Sequence, residues 1–124
     1  MRYVSTILYV SDTAAAVEFY GRAFGLEPGF TSPDASYATL GGESSGLAFA
    51  THEMAPQVSG TREAPAGFEV WLETDDVPAA YSRAVEAGAE AVAEPVEKPW
   101  GQTVAYVRDL NGTLVELGEP VSDA

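Results

Sequence analysis

A chain of 124 residues has room for one domain and one continuous core, and its 46% apolar content is that of a folding chain, not a disordered one. Acidic residues number 19 against 6 basic, a formal net charge of -13, which sets the chain against nucleic acid and anionic membrane surfaces. Cysteine is absent, excluding disulfides, thiolate metal sites and a cysteine nucleophile, and no apolar run approaches the roughly 18–20 residues that span a bilayer.

Met1-Arg2-Tyr3-Val4 passes straight into a strand pattern without the apolar core of a signal peptide, so a cytoplasmic address is expected. Ser5-Thr6-Ile7-Leu8-Tyr9-Val10 alternates as a strand. Asp12 then stands where a carboxylate caps a helix, and Val17, Tyr20 and Phe24 mark an apolar stripe that ends at Gly25. Three strands are predicted next, at residues 27–30, 36–40 and 46–51, with Gly41-Gly42 at the last turn. Residues 53–66, rich in Pro, Gly, Ala and Thr, read as a linker.

The pattern then repeats with a shift of 64. Glu69-Val70-Trp71-Leu72-Glu73-Thr74 is the strand, Asp76 the cap, and Val77, Ala80, Tyr81, Ala84 and Val85 the stripe, with Pro78 in the first turn and Gly88 at the stop. Strands are predicted at 90–95, 102–108 and 113–118, the last two joined through Asn111-Gly112, a hairpin signal. The whole reads as one α+β domain of two paired βαβββ modules, 1–52 and 67–124. A single sheet with a helix on one face needs company on the other, so pairing is expected to form a curved sheet cleft with the helices outside.

These residues resemble a known family. Ile7-Leu8-Tyr9-Val10-Ser11-Asp12 with Phe19-Tyr20 and Phe24-Gly25-Leu26, Asp76-Val77 with Ala87-Gly88-Ala89, and Arg108-Asp109-Leu110-Asn111-Gly112-Thr113-Leu114-Val115-Glu116-Leu117 are similar to the vicinal oxygen chelate superfamily, which includes glyoxalase I, extradiol dioxygenases and bleomycin-resistance proteins. The resemblance implies a divalent metal held from the first and last strand of each module. The matching positions here are Ser5, Glu69, Ala48 and Glu116, where histidine is usual at the first two. A serine and two carboxylates suit at best a hard ion completed by water, and the one histidine, His52, falls past the fourth strand. No metal and no cofactor are expected; Glu69 and Glu116 are the weak alternative metal ligands.

Period-two alternation sorts the strands. Glu69, Trp71 and Glu73 turn to the cleft, as do Ser5, Ile7 and Tyr9 on the first strand and Leu114 and Glu116 on the last. With Trp100 and Tyr106, these give aromatic walls and acids, a combination that a cationic, partly aromatic ligand would satisfy through charge pairing and cation–π attraction. The candidate ligand contacts are Tyr9, Glu69, Trp71, Glu73, Trp100, Tyr106 and Glu116. Plainer roles stand beside them: a solvated acidic surface, Glu116 satisfied by an internal arginine or backbone donor, Glu69 paired with Arg62 or Arg108, Trp71 in the core. Pro99-Trp100-Gly101-Gln102 is a rigid turn at a cleft rim or dimer contact, and Asp109 and Asn111 form a turn. Phosphate-cradling motifs are lacking, and Ser5 has no histidine base. Glu69 and Glu116 could form an acid–base pair, a minor reading.

The resemblance to the bleomycin-resistance branch implies a metal-free homodimer that sequesters a bulky cationic or aromatic natural product, conferring antibiotic resistance by binding, with no catalytic residue. The alternatives are a lyase or dioxygenase-like enzyme with an atypical carboxylate metal site, and a paralogue with an idle cleft.

Overall fold

Asp12 and Asp76 start the two helices in the same way. The Asp12 carboxylate accepts the Ala15 amide at 3.0 Å and the Asp76 carboxylate accepts the Ala79 amide at 3.1 Å, each satisfying a donor that the first turn leaves free. Around these caps the chain runs β1 (Thr6–Val10), α1 (Thr13–Phe24), β2 (Pro28–Thr31), β3 (Tyr37–Leu40) and β4 (Leu47–Thr51). It continues through a 3-10 turn at His52–Met54 to β5 (Val70–Glu73), α2 (Val77–Glu86), β6 (Glu90–Glu97), β7 (Thr103–Arg108) and β8 (Leu114–Gly118). The computed structural model describes residues 1–42, 46–55 and 63–121. Residues 56–62 of the predicted linker, Arg62 among them, lie outside the described residues.

The chain divides into two units, Met1–Glu63 and Ala64–Ala124. Each is a four-stranded mixed sheet with one helix, in the orders β1-β4-β3-β2 and β5-β8-β7-β6, so the architecture is the α+β repeat that the sequence predicts. In both, the first strand pairs with the last in parallel, and the remaining pairs are antiparallel.

In the first unit Leu8, Val10, Phe49, Ala38 and Leu40 are buried, and α1 lays Ala16, Phe19, Tyr20 and Ala23 over that side of the sheet. Phe19, Tyr20, Phe24 and Phe49 meet edge to face at 5.0–6.0 Å between ring centres. The centre of the stripe is therefore Ala16, Phe19/Tyr20 and Ala23, rotated from the predicted Val17–Phe24 line because alanines let the helix approach the strands. Gly25 closes α1 with φ 72, where its amide and that of Leu26 bond back to Gly21 and Tyr20.

In the second unit Val77 and Ala84 of α2 face Val107, Val115 and Leu117. Two predicted boundaries move. β6 runs through Pro95 to Glu97, since a proline is tolerated on an edge strand and the β6–β7 register shifts on either side of Ala93. The β7–β8 connection is wider than a two-residue Asn-Gly turn. Buried Asp109 accepts the amides of Asn111 and Thr113 at 2.8 and 2.9 Å, which makes it the turn-former, with Gly112 at φ 89.

Candidate functional site

The helix-free face of the second sheet follows from strand parity and register. Val115 and Leu117 point to α2, so Leu114, Glu116 and Gly118 point away. On β7, Tyr106 pairs with Glu116 and Val104 with Gly118. On β5, Trp71 pairs with Glu116 and Glu73 with Gly118. Glu69, Trp71, Glu73, Tyr106 and Glu116, all expected from the sequence, thus share one face.

At one end of this face lies an open depression lined by Phe68, Glu69, Val92, Tyr106, Arg108 and Leu114. Its volume of about 540 Å³ falls within the range of small-molecule sites. The Tyr106 hydroxyl donates to Glu116 Oε1 at 3.2 Å, so among the described residues a neighbouring phenol, and not an arginine or a backbone amide, satisfies that carboxylate. Partial loss of water, and then the Glu116 charge, hold the Glu69 carboxyl above its ordinary range. The Tyr106 phenol is raised as well, first by burial and then by the charges of Glu116 and Glu69, which keeps it a donor at neutral pH. Arg108, one of the two arginines named as alternative partners for Glu69, donates from Nη1 to Gly112 O at 2.9 Å.

Trp71 is not a core residue. It is 48% exposed, and its indole lies across Gly118, donating to Gly118 O at 3.4 Å. A Cβ on Gly118 would stand 2.8 Å from Trp71 Nε1 and 3.1 Å from Gln102 Nε2, so the glycine is what lets both side chains cross the strand end. Trp100, in the β6–β7 turn, is 65% exposed and donates to Gln102 Oε1 at 2.9 Å. Gln102, only 8% exposed, donates in turn to Glu119 O at 2.7 Å. Gln102 and Gly118 were not singled out from sequence. A lone glutamine at a strand start and a glycine at a strand end carry no periodic signal, and only the turn Pro99–Gln102 marks the place.

Tyr9 lies in the first unit, on the face of its sheet away from α1, opposite Ala50. The register there pairs Ile7 with Ala48 and Thr39 with Ala48, so Ile7, Thr39 and Ala48 occupy the places that Trp71, Tyr106 and Glu116 hold in the second unit. The carboxylates belong to one unit alone. Among the described residues, no group of three or more His, Asp or Glu side chains could hold a metal ion. An alanine offers no lone pair at the fourth position and a serine hydroxyl is a poor ligand at the first, so the residues present do not fit the metal of the resembled family. His52 sits in the 3-10 turn with its Nδ1 buried and without a hydrogen-bond partner among the described residues.

With this geometry in view, comparison with known proteins fixes the family. The model of the Glyoxalase/Bleomycin resistance protein/Dioxygenase superfamily matches residues 2–117. The chain belongs to this superfamily. An uncharacterized protein of Mycobacterium tuberculosis (strain ATCC 25618 / H37Rv) is 30% identical over 131 residues, covering 97% of this chain and 75% of that protein. Among solved structures, TioX from Micromonospora sp. ML1 is 25% identical, with a TM-score of 0.74, covering 96% of this chain and 98% of TioX. A superfamily enzyme from Burkholderia phytofirmans PsJN reaches a TM-score of 0.81 at 20% identity, covering 98% of this chain and 100% of its own, a likeness of fold. No helix of the described superfamily chain is long and apolar enough to cross a membrane.

Proposed function

We propose that this superfamily member is a metal-free binding protein that captures a cationic, aromatic small molecule and releases it unchanged. The observation that carries this reading is the placement of Glu69 and Tyr106 at a ligand-sized depression, with Glu116 bonded to Tyr106, on the same face as the exposed Trp71. Partial loss of water and the nearby Glu116 charge disfavour the Glu69 carboxylate, and a cation set beside it relieves that cost. Trp71 then offers its face to the ligand's ring or charge, with Glu73 on the same strand face and Trp100 as a further contact. Ile7, Thr39 and Ala48 at the equivalent places of the first unit have no such chemistry, which favours one site on the second unit.

Capture of a bulky natural product, and antibiotic resistance by sequestration, is the physiological form of this reading, in a cytoplasmic homodimer. Support for the dimer comes from apolar side chains left exposed on the second unit, including Phe68, Val92 and Val96. The test is calorimetric titration with flat cationic aromatics, followed by recovery of the ligand. Capture predicts saturable binding, an unaltered ligand mass and a loss of about tenfold or more in Glu69→Gln or Glu116→Gln. Turnover that requires added Mg²⁺ or Mn²⁺ and disappears in the same variants would replace capture by the lyase or dioxygenase-like reading.

A further inference from the structure

Trp71 and Trp100 are the chain's two tryptophans, and both are anchored to consecutive backbone carbonyls at the end of β8. Trp71 Nε1 reaches Gly118 O directly, whereas Trp100 Nε1 reaches Glu119 O through the buried amide of Gln102. Both ends of that amide are used, one accepting from the indole and one donating to the carbonyl. The strand end itself is tied down by Glu119, whose Oε1 accepts the Thr103 amide at 2.6 Å. Each indole therefore spends its only polar atom on orientation while much of its surface stays in water. Fixing two exposed rings before a ligand arrives removes part of the ordering cost of binding.

We infer that Gln102 is a positioning residue that holds Trp100 at the strand end where Gly118 O holds Trp71, and that the two rings form an aromatic ledge for the flat, fused-ring portion of the ligand. This deepens the capture reading and rests on it: the ledge meets the ring system, and Glu69 and Glu116 meet the cation. Along β5, Trp71 follows Glu69 by two residues, roughly 6–7 Å of strand. The indole leans on towards Gly118, away from Glu69 and Glu116. The ligand class is thus a fused aromatic bearing an amine or amidine at one end.

Because the chain has two tryptophans, its ¹H–¹⁵N spectrum has two indole cross-peaks, both from this ledge. The full chain is titrated with proflavine, a flat tricyclic cation, and with n-butylammonium, a cation without a ring. Proflavine should move both cross-peaks and bind saturably. Trp100→Phe keeps a ring at an exposed position but removes the donor to Gln102, so it should bind proflavine roughly 5-fold more weakly with an unchanged melting temperature. Gln102→Leu should shift the Trp100 cross-peak to a solvent-exposed position and weaken proflavine about tenfold. Gln102→Leu should not change the binding of n-butylammonium. Unchanged proflavine affinity in both variants, or binding that leaves the indole peaks in place, overturns the ledge. If proflavine then still depends on Glu69, capture survives without it. If neither probe binds the parent chain, the ledge and the capture reading fall together.

Discussion

Glu69 is the residue at which burial and charge act against the folded state. Its carboxyl is raised above the ordinary 4.5, first by partial loss of water and then by Glu116. Between the ordinary and the raised value the folded chain binds more protons than the unfolded chain, so stability falls as pH rises across that window. Below about pH 4 the carboxyl is protonated in both states and the difference closes. Glu69→Gln should therefore melt about 1–3 °C above the parent at pH 7, a gain kept small by solvent screening, and level with it at pH 4. A lower melting temperature at pH 7 would mean that the Glu69 charge is already favourably paired in the free protein. Gly118 gives a second prediction at this scale. Gly118→Ala places a methyl where the Trp71 and Gln102 side-chain ends now lie, so both must shift. The expected cost is about 1–2 kcal/mol in urea unfolding, with a change in tryptophan emission. A stable variant with parental emission would show that the indole does not rest on that strand end.

Both helices depend on the same local device, an aspartate whose carboxylate takes the amide three residues on. Asp76→Ala should cost about 1 kcal/mol, read as a lower midpoint in urea at unchanged slope. The turn between β2 and β3 is built differently. Asp34 accepts the Ser36 amide at 3.1 Å and the hydroxyls of Ser32 and Ser36 at 2.9 and 2.7 Å, and these bonds hold its carboxyl below the usual range. The turn so held places Ala35 at φ 59, a left-handed conformation that an L side chain resists. Ala35→Gly should raise stability by about 0.5–1 kcal/mol, and a destabilised glycine variant would show that the looser unfolded chain outweighs the relieved strain. The element order, the caps and the stop at Gly25 were legible in the sequence because each is set by residues within one turn of one another. The rotation of the α1 stripe towards Ala16 and Ala23 was not, since it depends on how closely the helix meets β3 and β4. Similarly, the extension of β6 through Pro95 depends on that strand lying at a sheet edge.

For the whole molecule, a formal charge of -13 means self-repulsion among exposed carboxylates. Raising ionic strength from 10 to 150 mM shortens the screening length from about 30 to 8 Å and should lift the melting temperature by roughly 2–5 °C, measured at constant pH. The same salt should weaken capture of a cation, whereas a ring-driven contact should be nearly indifferent to it. Period-two alternation was enough to put Glu69, Trp71 and Glu73 on one strand face, and the internal repeat was enough to give two βαβββ units. Those features are fixed by the chain's own neighbours, through backbone sterics and the pleat. What the tertiary structure decided is which side chains meet across strands: Tyr106 on Glu116, Arg108 turned to Gly112, and Trp71 and Gln102 both on Gly118. Each such meeting depends on strand register or on packing, and the bonds that Trp71 and Gln102 make to the end of β8 join residues 47 and 17 positions apart in the chain. A carboxylate's loss of water likewise belongs to the assembled sheet, because no segment of the sequence desolvates itself.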